Sequence, residues 1–172
     1  SLLADPATGT KYSRWGAKFV RLDGYFAPYL RWLFPQCKII FLVRDPLDCF
    51  QSYRRMEPGY GADPHKTGWW LTPGWPINSA ERFFAMSHHL MTSFVQVARP
   101  NDMKIIRYET ITKDREQIDA LGDYLGLSLD AAVLDRKLNG MTREFPPAAP
   151  LNDHERQVIE NWAPRFEEFG YS

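Results

Sequence analysis

The chain is short of cysteine, histidine and net charge, and it has no long apolar run. Two cysteines, Cys37 and Cys49, are too few for a disulfide framework. Four scattered histidines beside two lone cysteines show no metal-ligand spacing, so no metal is expected. Lysine plus arginine equals aspartate plus glutamate, 21 each, giving a formal net charge of zero. A general polyanion binder carries a basic excess, so the balance argues against nucleic acid as a partner. No apolar stretch approaches the roughly 20 residues needed to span a bilayer. No signal peptide opens the sequence, and repeats and low-complexity tracts are missing. A soluble protein of a reducing compartment, cytoplasmic by default, is expected.

What is present is 172 residues with 44% hydrophobic content, enough for a single domain over residues 1–172 with a real core. Short apolar runs alternate with helical stripes. "WGAKFVRL" (residues 15–22) reads as a strand. Tyr25, Phe26, Tyr29, Leu30, Leu33 and Phe34 lie on a helical stripe closed by Pro35. "KIIFLV" reads as a buried strand, followed by a helix from Pro46 to about Met56. Residues 57–77 form a long loop rich in Gly, Pro and Trp. Asn78 and Glu81 suggest a capping box for a helix to about Arg99, with Phe83, Phe84, Leu90, Met91, Phe94 and Val95 inward. "MKIIRY" is another strand. Ile118, Leu121 and Leu125 mark a helix ending near Gly126, and a short helix is expected over 129–138. After the proline-rich "EFPPAAP", Asn152 and Glu155 cap a last helix bearing Val158, Ile159, Trp162, Phe166 and Phe169. Alternating strands and helices predict an α/β fold with a mainly parallel sheet flanked by helices.

One stretch carries chemistry: "FLVRDPLDCFQSYRR". Arg44 ends an apolar strand, and its guanidinium can grip a phosphate or sulfate with two parallel donors. Asp45 suits an N-cap and Pro46 the first helical position. The helix adds its partial positive end. Ser52 stands eight residues after Arg44, about 9 Å along the helix axis. It reaches the same anion only if that anion lies alongside the helix and not at its tip. Arg55 follows on the same face. The competing reading is a structural arginine paired with an acid and a serine on a helix surface. Cys49, in the same helix, reads as a small buried apolar residue.

This stretch closely resembles the 3′-phosphate-binding motif of sulfotransferases that use 3′-phosphoadenosine 5′-phosphosulfate (PAPS). Arg44 and Ser52 match its spacing, and the Arg-Asp-Pro triplet and Asp48 match as well. "RWGAKF", "IIRYETI" and "IDALGDYLGL" resemble further family segments in the right order, so the resemblance covers roughly residues 14–130. It implies a P-loop-type sheet, PAPS as sulfuryl donor and adenosine 3′,5′-bisphosphate (PAP) as product. It implies that Arg44, Ser52 and Tyr108 contact the nucleotide, and that Lys18 faces the bridging oxygen. Arg143 falls where the family places a late basic loop, although "KLNGMTRE" is only a loose echo of it.

The family's 5′-phosphosulfate loop has no counterpart in these residues, so the sequence reads as the C-terminal two-thirds of a family domain. The histidine or glutamate that relatives place just after the Lys18 position is replaced by Val20 and Phe19. Asp23, Glu57, His65 and His88 remain as candidate bases, with His65 preferred. Asp23 also suits an N-cap, Glu57 a solvated position, and His88 and His89 the border of an apolar stripe. Trp69, Trp70 and Trp75 suit a loop covering a small-molecule or carbohydrate acceptor, or a loop pinned by its own aromatics. The expected function is sulfuryl transfer from PAPS to a hydroxyl or amine. The competing readings are a non-catalytic nucleotide-binding module that keeps the 3′-phosphate site, and a kinase of related shape, which the missing glycine-rich lysine loop disfavours.

Overall fold

Ile39–Val43 form strand β1 and Met103–Arg107 form β2. They pair in parallel, Ile39 opposite Met103 and Val43 opposite Arg107. The structure, a computed structural model, describes residues 16–19, 22–56, 77–99, 102–130, 132 and 149–171. Within them a 3₁₀ turn at Gly24–Phe26 leads into α1 (Ala27–Leu33). Helix α2 (Pro46–Met56) leaves β1, and α3 (Ala80–Val97) precedes β2. Then come α4 (Tyr108–Ile111), α5 (Arg115–Leu125), α6 (Asp153–Phe166) and a 3₁₀ turn at Glu167–Phe169. Parallel pairing requires a crossover, and the helices between the strands belong to it. The described residues thus form a small parallel sheet of two strands flanked by helices, and none of their helices is long and apolar enough to cross a membrane.

The expected burial of β1 is half right. Phe41 and Val43 are 8% and 7% exposed, but Leu42 is 58% exposed. On the covered face the Phe41 ring stacks on Phe94 of α3 at 4.2 Å. An unbroken apolar run has no period, so it cannot distinguish one covered face from two.

Helix α2 is held by its apolar side. Phe50 is fully buried, 5.2 Å from the Phe83 ring and 5.1 Å from Phe84. The Tyr53 hydroxyl donates to the Ile77 carbonyl at 2.7 Å. Arg54 meets Glu155 of α6 at 3.0 Å and donates to the carbonyls of Ala149 and Pro150 at 2.8 and 3.2 Å. Asn152 and Glu155 form the expected capping box, with bonds of 2.8 and 2.9 Å.

Other expectations shift. Gly16–Phe19 is exposed and lies outside the sheet, so these residues are not strand; most of the remainder of "WGAKFVRL" falls outside the described residues. The aromatic stripe of α1 and its preceding turn is not inward: Tyr25, Phe26 and Tyr29 are about half exposed. Tyr25 still meets α3 at its edge, through Gln96 and the His89 ring at 6.0 Å, but the close approach is made by small residues. The Gly24 amide donates to Ser93 Oγ at 2.7 Å, and a Cβ on Gly24 would lie 2.4 Å from the Ser93 carbonyl oxygen. A close approach selects the smallest residues, whereas the stripe had pointed to the largest. Ser79, not Asn78, caps α3, accepting from the Arg82 amide at 3.4 Å. Val95 is exposed, and Met86 takes an inward position. The expected helix over 129–138 and the tryptophan loop lie largely or wholly outside the described residues.

Candidate functional site

The turn from β1 into α2 is wired before any ligand is considered. Pro46 opens α2 and has no N–H to satisfy. The Asp45 carboxylate accepts from the amides of Leu47 and Asp48 at 2.7 and 3.3 Å. The Asp45 amide itself donates to Glu109 Oε1 at 2.8 Å. The helix tip therefore already holds a carboxylate. An external anion there would meet a like charge and occupied donors. The amides of Leu47 and Asp48 at the tip of α2 are thus already engaged.

The flank of α2 begins at Arg44. Parallel pairing sets Val43 opposite Arg107, so the next residues, Arg44 and Tyr108, leave the two strands side by side. The Arg44 guanidinium lies 5.0 Å from the centre of the Tyr108 ring. A guanidinium, planar by delocalisation, is held in one direction by packing on an aromatic face, which leaves its edge N–H groups to solvent. Its carboxylate partner is Asp48, at 3.4 Å, and both side chains are substantially exposed, 41% and 58%. Asp48, Ser52 and Arg55 follow at helical spacings of four and three, so they form one stripe. Ser52 is half-buried on that stripe and Arg55 is exposed. Tyr108, expected as the last strand residue, instead opens the short helix α4.

A second layer backs the turn. Glu109 Oε2 accepts from the Tyr171 hydroxyl at 3.3 Å. Arg107 donates to the Gly170 carbonyl and lies 4.5 Å from the Tyr171 ring centre. Gly170 adopts φ +77°, and a Cβ there would come within 2.9 Å of the Arg107 guanidinium. Burial, aided by the Glu109 carboxylate and opposed by Arg107, pushes the Tyr171 hydroxyl up to about 12. The hydroxyl stays a donor at neutral pH. Burial also pushes the Cys49 thiol up to about 11, against the pull of Arg44. A protonated, desolvated thiol is a poor nucleophile, in keeping with the apolar reading of Cys49.

Of the residues singled out from sequence, Arg44 and Tyr108 are brought into contact, and Ser52 lies on the stripe that runs from Arg44's partner, Asp48. Lys18 is exposed in the irregular segment 16–19. His65 and Arg143, together with Glu57, lie outside the described residues. His88 sits 3.4 Å from Glu168, with its ring 5.8 Å from those of Trp162 and Phe169. These are partners at the C-terminal helix, not at Arg44. Asp23 precedes its 3₁₀ turn without capping it through its side chain, which lies 3.6 Å from His89. Two cavities, of about 160 and 240 Å³, open against β2, and neither is lined by Arg44 or Ser52.

Sequence reasoning missed the roles of Glu109, Tyr171 and Arg54. Nothing local marks them, since their partners lie 62 to 101 residues away in the chain, the farthest being Glu155 from Arg54 (155 minus 54). The Arg44–Asp48 pair did have a signal, opposite charges at a spacing of four.

The model of the sulfotransferase family matches residues 10–131, a span that contains Lys18, Arg44, Ser52 and Tyr108. No curated protein and no solved structure matches the chain. With the Arg-Asp-Pro turn, the stacked arginine and the parallel strands all inside the matched span, the chain belongs to the sulfotransferase family.

Proposed function

We propose that this chain binds the 3′-phosphate of PAPS along the flank of α2, within a P-loop-type domain, and serves sulfuryl transfer to a hydroxyl or amine. The observation that carries the reading is the state of Arg44: stacked on Tyr108, substantially exposed, and engaged by one carboxylate at the edge of hydrogen-bond range. A dianionic phosphate offers that guanidinium stronger acceptors than a solvated Asp48 does. Ser52, on the same stripe, adds a hydroxyl donor.

The donor, when bound, supplies an activated sulfuryl group. Arg44 and Ser52 hold the 3′-phosphate and so fix the nucleotide's register. Tyr108 holds the guanidinium in one direction. Lys18 is assigned to the departing oxygen, where negative charge grows as the sulfur–oxygen bond breaks. His65 is assigned to take the acceptor's proton as its oxygen or nitrogen bonds to sulfur. PAP leaves as the sulfur–oxygen bond breaks, its oxygen keeping the bonding pair. Arg143 is assigned a supporting contact to the 3′-phosphate. The tryptophans of residues 57–77 suit a small-molecule or carbohydrate acceptor.

The test is thermal denaturation with ligands. PAP should raise Tm clearly more than 5′-AMP, and Arg44→Ala should erase the difference. Equal shifts from the two ligands in the unmutated protein would remove the assigned site.

A further inference from the structure

We infer that Glu109 is a positioning residue for the phosphate-binding arginine, and that Tyr171 orients it. The inference rests on the proposed role of Arg44 and adds the group that sets that arginine's backbone. Arg44 is joined to Asp45, whose amide donates to Glu109 Oε1 at 2.8 Å. Asp45 then commits its own carboxylate to Leu47 and Asp48. The backbone between β1 and α2 is thus pinned from one side by Glu109 and from the other by the helix.

Glu109 follows Tyr108, the residue on which the guanidinium stacks. One dipeptide of α4 therefore holds Arg44 twice: Tyr108 supports its guanidinium, and Glu109 takes the amide of the residue after it. The carboxylate is in turn held by the Tyr171 hydroxyl at 3.3 Å. The 8% exposure of Tyr171 and its contact with Arg107 fix that hydroxyl in place. The far end of the described chain thus reaches the nucleotide side of the sheet through two hydrogen bonds in series.

A carboxylate accepting from a half-buried backbone amide is a charge-assisted bond, and its loss leaves that amide without this acceptor. Glu109→Ala lets the turn relax and Arg44 slide off its ring. The loss should fall on recognition of the 3′-phosphate. A glutamine side chain keeps an acceptor oxygen at the same reach, so Glu109→Gln should rescue. Tyr171→Phe leaves the carboxylate less fixed.

The experiment measures Kd for PAP and for 5′-AMP by calorimetry in the unmutated protein, Arg44→Ala, Glu109→Ala, Glu109→Gln and Tyr171→Phe. The readout is the ratio of the two constants, which a general loss of folded protein does not change. Glu109→Ala should reduce the preference for PAP about tenfold, equivalent to about 1.4 kcal/mol. Glu109→Gln should retain it within about twofold, and Tyr171→Phe should reduce it about threefold. If the unmutated protein shows no preference, the Arg44 site itself fails. If it shows one that Arg44→Ala removes and Glu109→Ala leaves intact, the positioning role is overturned. Should Glu109→Ala not fold, Tyr171→Phe decides, and an unchanged preference there overturns the proposal.

Discussion

Two arginines flank the same helix, and their surroundings are opposite. Arg54, near the end of α2, has a side chain 10% exposed, lies 3.0 Å from a Glu155 side chain that is 4% exposed, and donates to two backbone carbonyls. Arg44, just before α2, is 41% exposed, has one carboxylate at 3.4 Å and rests on an aromatic ring. The donors of the first guanidinium are taken up by the fold. The second keeps its donors facing solvent while its plane is held. A guanidinium already saturated by buried partners has little to offer a ligand, since binding would have to break what folding made. An exposed but directed one loses little on exchanging water or a weak partner for a phosphate. Side-chain type does not separate a structural arginine from an available one here; the state of its hydrogen bonds does.

Substitution at each position tests whether the two arginines differ in this way. Arg54→Ala should cost about 3–5 kcal/mol in a urea unfolding titration, because it strips a buried glutamate of this cation and two carbonyls of their donors. A loss below about 1 kcal/mol would put Arg54 in the same class as Arg44. Arg44→Ala should shift unfolding by no more than about 0.5 kcal/mol. It should instead weaken PAP binding by about 1.5–3 kcal/mol in calorimetry; a stability loss like that of Arg54→Ala would erase the distinction. Ser52→Ala should weaken the same binding by about 1–2 kcal/mol, and no change would remove the serine from the flank site. Asp48→Asn should have the smallest effect, of opposite sign. Freeing Arg44 from its exposed partner should tighten PAP binding by about 0.2–1 kcal/mol, and weaker binding would show that Asp48 supports the arginine rather than competing for it.

Tyr171 adds a pH-dependent check on the layer behind the site. Its hydroxyl is raised from the ordinary 10 to about 12, so the folded form holds that proton more tightly than the unfolded chain. The resulting stability is complete below pH 10 and is lost as pH rises toward 12. Tyr171→Phe should flatten the stability profile across that window, and an unchanged alkaline slope would assign it to another group.

Much of the local structure was legible. The Asn152–Glu155 box, the end of α5 at Gly126 (φ 65°) and the helix opening at Pro46 follow from short-range rules that involve residues within four positions of each other. The strand–turn–helix carrying Arg44 and Ser52 belongs to the same class. What sequence reasoning misplaced was decided at longer range. The aromatic face of α1 and its turn stayed largely outward because the close approach to α3 is made at Gly24. β1 was covered on one face.

By itself, then, the sequence determined the opening of α2 at Pro46, the close of α5 at Gly126 and the box that starts α6, that a parallel pairing was coming, and that Ser52 would stand two turns into the helix that follows Arg44. Spacing along a helix is a local quantity, so it survives without knowledge of neighbours. Only the tertiary structure decided which arginine would be consumed and which left open. Glu155 reaches Arg54 from 101 positions away (155 minus 54), while Tyr108 reaches Arg44 through the strand register. Such pairings depend on how elements pack, and packing is set by the whole chain rather than by any stretch of it.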